Sequence, residues 1–97
     1  MTTQGRRIWP DTAGWLPVAE LHQPATYGRA TNPQAKGRAG WWNVTCPDGR
    51  GGALNPDVHT ITEHEDGTIT VHPSIDLSQR IPSGWHGWLE RGVFRSC

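Results

Sequence analysis

Hydrophobic and polar residues alternate along the chain from residue 41 onward. The alternating runs are residues 41–46, 58–65, 68–75, 85–90 and 93–97. A period of two is typical of strands that bury one face, whereas an amphipathic helix repeats its apolar residues every three or four positions. The pattern predicts a mainly β fold, a small antiparallel sheet or open barrel made of two or more hairpins.

The first predicted hairpin turns at Asp66-Gly67, the preferred pair for a two-residue type I′ loop. With that loop, Thr62 faces Val71 across the hairpin. A shift of one residue would move every side chain to the other face, so the loop length decides which residues are buried. The face predicted to point inward holds Val58, Thr60, Thr62, His64, Ile69, Val71, Pro73 and Ile75. Pro73 is expected at an edge or a bulge.

The second predicted hairpin turns at Arg91-Gly92. Its expected cross-strand pairs are Leu89 with Phe94, Trp88 with Arg95, and His86 with Cys97. The first pair is apolar and predicts part of the core. The second places a guanidinium beside an indole, a cation–π contact worth about 0.5–1 kcal/mol at an exposed site.

Residues 1–40 have no such pattern. Prolines and glycines recur there, which excludes a long helix or a central strand. The prediction is an extended, irregular arm with at most one short helical turn from Pro17 to His22, followed by a β domain over residues 41–97. Removal of residues 1–15 is therefore expected to leave the β domain folded.

Composition favours a protein partner. Hydrophobic residues make up 34% of the 97 residues, but six of them are tryptophan, and Trp and Arg are enriched at interface hot spots. The net charge is zero, yet residues 1–40 carry +3 and residues 41–97 carry −3. This split favours self-association or an acidic neighbour, and nucleic acid is not expected, since no concentrated basic face is present. The predicted partner-binding residues are Arg6, Arg7, Trp9, Trp15, Trp88 and Arg95.

No stretch of the sequence predicts a membrane span or a signal peptide. The apolar runs are far shorter than the roughly 20 residues that a spanning helix needs, and residues 1–8 are polar and basic. Synthesis in a cytoplasm is expected, where the two cysteines would not form a disulfide.

Three motifs resemble a family of small bacteriophage and bacterial domains of unknown function. They are residues 46–49 (CPDG), 65–75 (EDGTITVHPSI) and 84–92 (GWHGWLERG). The resemblance extends over the region that contains them, a little over half of the chain. The family reads Cys-Pro-x-Cys-Gly, then Asp-Gly-Thr-Ile/Val-Thr-x-x-Pro-Ser-Ile, then a His-aromatic pair before a final glycine hairpin. The second cysteine of its first motif is absent here. The resemblance implies a bacteriophage protein that is made in the bacterial cytoplasm and ends in the virion.

Two sets of residues have the chemistry of metal ligands. Cys46, His86 and Cys97 could bind structural zinc, which takes four ligands, but the missing family cysteine weighs against it. His59, Glu63 and His72 have the composition of a catalytic zinc site if the first hairpin has the predicted register. Free cysteine commonly packs as a small apolar residue, and no metal or other cofactor is expected.

Nucleophilic catalysis has little support, since the serines lack a Gly-x-Ser-x-Gly elbow and the glycines form no phosphate-binding loop.

The sequence predicts a non-enzymatic bacteriophage accessory protein, such as a capsid decoration protein. Its N-terminal arm and tryptophan-rich surface are expected to attach it to other copies of itself or to other virion subunits. The alternative is a zinc-stabilised protein-binding module acting in the infected cell. A third hypothesis is a metal-dependent hydrolase.

Overall fold

The computed structural model describes residues 1–76 and 84–96, and the chain there is mainly β. The strands are β1 (Thr2–Gln4), β2 (Arg6–Arg7), β3 (Thr26–Gly28), β4 (Asn43–Thr45), β5 (Gly51–Ala53), β6 (Thr60–Glu63), β7 (Ile69–Asp76), β8 (His86–Glu90) and β9 (Val93–Ser96). One helix, α1 (Val18–Leu21), and one 3₁₀ turn (Gly37–Gly40) accompany them. No helix within residues 1–76 and 84–96 is long and apolar enough to cross a membrane.

The strands form two sheets, as the mainly β prediction requires. The larger has the order β1-β9-β8-β7-β6, and the smaller has the order β2-β3-β4-β5. All paired strands are antiparallel except β2 and β3. The chain passes from the larger sheet to the smaller at Gly5, between β1 and β2. A Cβ atom at Gly5 would lie 2.6 Å from the carbonyl oxygen of Gly92, so only glycine lets the chain turn this corner without moving its neighbour.

Residues 1–40 are part of both sheets, which corrects the prediction of an extended arm beside an independent β domain. β1 pairs with β9, and β3 pairs with β4 across the predicted boundary at residue 40. Ile8 and Tyr27 are 1% and 2% exposed. Proline and glycine in this segment separate short strands that only distant partners stabilise. The expected short helix is confirmed, because α1 follows Pro17 directly.

The core lies between the two sheets and is assembled from alternate residues of their strands. The predicted burial of Ile69, Val71, Ile75, Leu89 and Phe94 is confirmed, and none of these residues is more than 2% exposed. Residues from the N-terminal segment and from the β4–β5 region complete the cluster: Ala25, Tyr27, Trp42, Val44, Cys46 and Leu54.

The first hairpin is displaced by one residue from its predicted register. Ile61, and not Thr62, pairs with Val71. His64 pairs with Thr68 through a bond of 2.8 Å from the His64 N–H to the Thr68 carbonyl oxygen. The loop therefore has three residues, and its last, Gly67, has a φ of 85°, as in a type I turn followed by a glycine bulge.

This displacement reverses the predicted faces of β6. Ile61 packs against the core, whereas Thr60 and Thr62 are exposed and Val58 is 60% exposed. In β7, Ile69, Val71 and Ile75 are buried as predicted. Pro73, which was also predicted to point inward, is exposed, because the register against β8 shifts between Val71 and Ile75.

The second hairpin has the predicted register. Leu89 pairs with Phe94 and Trp88 with Arg95, and both turn residues have positive φ, as a type I′ loop requires. The expected pair of His86 with Cys97 lies outside the described residues. Pro73 stands within the register shift of β7 against β8, which confirms its expected place at an irregularity.

Candidate partner-binding site

Two arginines and two tryptophans lie together at one end of the smaller sheet. The Arg–Trp cluster consists of Arg7, Trp9, Arg29 and Trp42, with Glu63 from β6 as its acidic member. Its geometry follows from strand pairing. Tyr27 pairs with Val44 in the antiparallel β3–β4 ladder, so two further residues along β3 bring Arg29 opposite Trp42.

Arg7 joins Trp9 to the other members of the cluster. Arg7 pairs with Tyr27 in the parallel β2–β3 ladder, and the Ile8 N–H donates to the Tyr27 carbonyl oxygen at 2.7 Å. The Arg7 guanidinium lies against the indoles of both Trp9 and Trp42. Trp9 and Arg29 therefore belong to one cluster, in which Arg7 and Trp42 lie between them.

Arg7 fixes the inner side of the cluster. Its Nη1 donates to Glu63 Oε2 at 2.7 Å and to the carbonyl oxygen of Gly67 at 3.0 Å. Its guanidinium carbon lies 3.9 Å from the ring centroid of Trp9 and 4.9 Å from that of Trp42. Only 13% of the Arg7 side chain is exposed. Arg7 thus holds both indoles and ties the smaller sheet to the first hairpin of the larger one.

Trp9 presents the outer side of the cluster. It is 60% exposed, the highest value among the six tryptophans. Arg7 lies against its ring, and Gly67 is close enough that a Cβ atom there would lie 3.5 Å from the indole. A large aromatic side chain that is fixed yet open to solvent loses little conformational freedom when a partner covers it.

Arg29 is the exposed cation of the cluster. Its guanidinium carbon lies 5.5 Å from the centroid of Trp42, which is itself only 7% exposed. The Arg7 hydrogen bond holds the pKa of Glu63 below its usual value, and the charges of Arg7 and Arg29 act in the same direction. Glu63 therefore stays ionised near neutral pH and neutralises one of the two arginines.

A second aromatic group lies on the outer face of the larger sheet. The guanidinium carbon of Arg95 is 4.4 Å from the ring centroid of Trp88, as the predicted pairing requires. His86 stacks on the same indole, with centroids 6.4 Å apart. Arg95 also binds Glu90 Oε1 at 2.7 Å, so its charge is already balanced.

The remaining predicted partner-binding residues lie apart from these contacts. Trp15 is 39% exposed and belongs to a loop that the Asp11 carboxylate closes by accepting hydrogen bonds from the N–H groups of Ala13 and Trp15. Arg6 is exposed on β2. Of the six predicted residues, the structure brings together Arg7 with Trp9, and Trp88 with Arg95.

The first predicted metal set is only partly within the described chain, because Cys97 lies outside it. Cys46 is fully buried, and burial, with a smaller contribution from Asp48, raises the pKa of its thiol to about 12. Asp48 accepts a hydrogen bond from the Trp85 N–H at 3.1 Å, so the Cys46 turn does lie near the start of β8.

The second predicted metal set is separated by the corrected register. Glu63 pairs with Ile69 on one face of the hairpin, whereas His72 pairs with Thr60 on the opposite face. His59 has a buried Nδ1 without a hydrogen-bond partner. Across residues 1–76 and 84–96, no three His, Cys, Asp or Glu side chains are grouped as metal ligands would be.

Sequence reasoning did not select Arg29, Trp42 and Glu63 as partner-binding residues. Glu63 was predicted only as a metal ligand. Arg29 stands between Gly28 and Ala30, where no local pattern marks it. The one usable signal was the excess of arginine and tryptophan, which indicates the type of surface but not its members.

Comparison of the chain with protein-family models, with curated proteins and with solved structures found no match. The fold and the Arg–Trp cluster are therefore interpreted from their own geometry.

Proposed function

We propose that this protein is a non-enzymatic binding protein that attaches to another protein through the Arg–Trp cluster, with Trp9 as the main contact. Following the motif resemblance, the proposed setting is a bacteriophage particle, where the chain would act as an accessory such as a capsid decoration protein. The single observation that carries the proposal is the 60% exposure of Trp9 on a fixed Arg7 support.

The Trp9 indole is already restricted to its position before a partner binds. A free tryptophan side chain on a surface would have to give up rotamer freedom on binding, but Arg7 and the Gly67 region already restrict Trp9. Fully burying a large apolar side chain contributes about 1.5–3 kcal/mol, and tryptophan and arginine are the residues most often found at hot spots. The N-terminal segment contributes to attachment as part of the folded body and not as a free arm.

The proposal is tested by measuring how much of the protein is present on purified particles of the phage that encodes it. Wild type and the Trp9→Ala variant are compared by quantitative mass spectrometry of the particles. The matched control is Val18→Ala, which changes another side chain that is 60% exposed but lies on α1, away from the cluster. The expected result is a loss of at least about tenfold in occupancy for Trp9→Ala, since a hot-spot truncation costs about 2 kcal/mol or more.

Two results would overturn the proposal. One is full occupancy of the Trp9→Ala variant, which would show that the cluster is not part of the attachment surface. The other is absence of the wild-type protein from particles that are otherwise complete, which would show that the protein is not a virion component.

A further inference from the structure

The arginines that lie against tryptophan rings differ in whether a carboxylate forms an ion pair with them. Among the described residues, Arg7, Arg29 and Arg95 lie within cation–π distance of an indole. Arg7 is paired with Glu63 and Arg95 with Glu90, each at 2.7 Å. Arg29 makes no hydrogen bond or ion pair with any described residue. Its guanidinium is therefore the one in this group whose charge no carboxylate balances.

Trp9 and Arg29 are the exposed indole and the exposed cation of the Arg–Trp cluster. Arg7 contacts the rings of Trp9 and Trp42, and the Arg29 guanidinium carbon lies 5.5 Å from the Trp42 centroid. Arg29 is exposed, and Trp9 is 60% exposed. A ligand lying across the cluster would meet an apolar indole and a guanidinium edge.

We propose that Trp9 and Arg29 bind a partner segment that carries a carboxylate next to an apolar side chain. This inference rests on the proposed function and names the chemistry of the partner. The apolar group covers the Trp9 indole, and the carboxylate accepts hydrogen bonds from the Arg29 guanidinium, whose flat fork of N–H donors matches the two carboxylate oxygens. Trp42 restricts the Arg29 side chain before the ligand arrives.

A single carboxylate fits this surface better than a polyanion. Glu63 is ionised and its side chain is 48% exposed, so the second negative charge of a phosphate group would be repelled close to the site. The chain as a whole carries no net positive charge, whereas nucleic-acid binding depends on many basic contacts. An acidic protein segment is the occupant that this charge distribution favours.

The test uses two small probes, N-acetyl-phenylalanine and its amide, which differ only in the carboxylate. Proton–nitrogen correlation spectra follow the Trp9 indole N–H and the Arg29 Nε–H of the full chain during titration. The acid is expected to shift both signals, and the amide to shift the Trp9 signal and bind about threefold to tenfold more weakly, the range for an exposed charged hydrogen-bond pair. Arg29→Gln is expected to remove this preference for the acid.

The matched control is Arg95→Gln, because Arg95 also lies on an indole but is already bound to Glu90. That variant should keep the preference for the acid. All variants change exposed side chains, and their spectra report directly whether they are folded. Equal binding of acid and amide, or an unchanged preference in Arg29→Gln, would overturn the inference. So would a short oligothymidylate that shifts both signals at lower concentration than the acid.

The failure of this inference can be separated from the failure of the proposed function. Particles are also prepared with Arg29→Gln. Suppose that Trp9→Ala loses occupancy and Arg29→Gln keeps the wild-type occupancy. The cluster would then still be the attachment surface, but the proposal that it binds a carboxylate would be wrong. Loss in both variants supports both statements.

Discussion

Replacing Ile8 with alanine measures how far the N-terminal segment contributes to the folded core. Ile8 is 1% exposed, and its backbone donates to β3. The substitution removes three buried carbon atoms, which at about 0.8 kcal/mol each is a loss of about 2.4 kcal/mol. The cavity left behind adds to this loss, and measured values for isoleucine-to-alanine changes in cores are about 2–5 kcal/mol.

A loss of this size is a large fraction of the total, since a domain of this length is stable by only about 5–15 kcal/mol. The free energy of unfolding is measured by urea titration, followed by far-ultraviolet circular dichroism and by tryptophan fluorescence. Val18→Ala is the control, because Val18 is 60% exposed and such changes usually stay within about 0.5 kcal/mol.

The result that would refute this reasoning is an unchanged urea midpoint in Ile8→Ala, equal to that of Val18→Ala. In that case Ile8 would not be buried in solution, and the N-terminal segment would be the loose arm that its composition alone predicts. Deletion of residues 1–15 would then leave the free energy of unfolding unchanged. In the structure, however, this deletion removes β1, β2 and the buried Ile8 together, so it should lower the stability of the remaining domain.

Two further predictions concern a buried thiol and a tight turn. The Cys46 thiol, with a pKa raised from 9.0 to about 12, should react with iodoacetamide at pH 8 only after urea unfolding, as measured by mass spectrometry in a Cys97→Ser background. Because the unfolded chain loses this proton first, the free energy of unfolding should be unaffected below about pH 9 and should fall as the pH rises toward 12, by at most about 1.4 kcal/mol per pH unit. Gly92→Ala should lower the free energy of unfolding by about 1–3 kcal/mol, because Gly92 has a φ of 78° and a Cβ atom there would lie 2.9 Å from Thr68. Gly52→Ala is its control, because a Cβ atom at Gly52 meets nothing within 4 Å, and an effect as large as that of Gly92→Ala would contradict the turn geometry.

The sequence predicted interactions between residues close together in the chain more accurately than interactions between distant residues. The register of the second hairpin was predicted correctly for the pairs Leu89–Phe94 and Trp88–Arg95, because its loop of two residues sets the register of the strands on either side. In the first hairpin, an Asp-Gly pair is compatible with a loop of two or three residues. The Asp66 carboxylate accepts hydrogen bonds from both the N–H and the hydroxyl of Thr68, which favours the longer loop. The alternation of β6 could not reveal this, since Thr60, Ile61 and Thr62 fit either face.

The strands of residues 1–40 were missed for a different physical reason. β1 and β2 have three and two residues, which is too short for alternation to be visible. Their stability comes from partners far along the chain, such as Arg95 for Thr2. Local propensity in a segment rich in proline and glycine indicates irregular structure, and only the distant partner strand changes that outcome.

The same difference between local and distant contacts bears on the candidate site. Trp88 and Arg95 are neighbours through one short hairpin, so the sequence predicted their contact, and the nearby Glu90 balances the charge of Arg95. Trp9 and Arg29 come into one cluster only when β2, β3 and β4 pair across a segment with no recognisable pattern, and no carboxylate of the described chain forms an ion pair with Arg29. The contact that could be predicted, Trp88 with Arg95, thus has its charge balanced within the molecule. The cluster that could not be predicted leaves an indole and a cation exposed, and exposed groups of this kind can contribute binding energy to a partner.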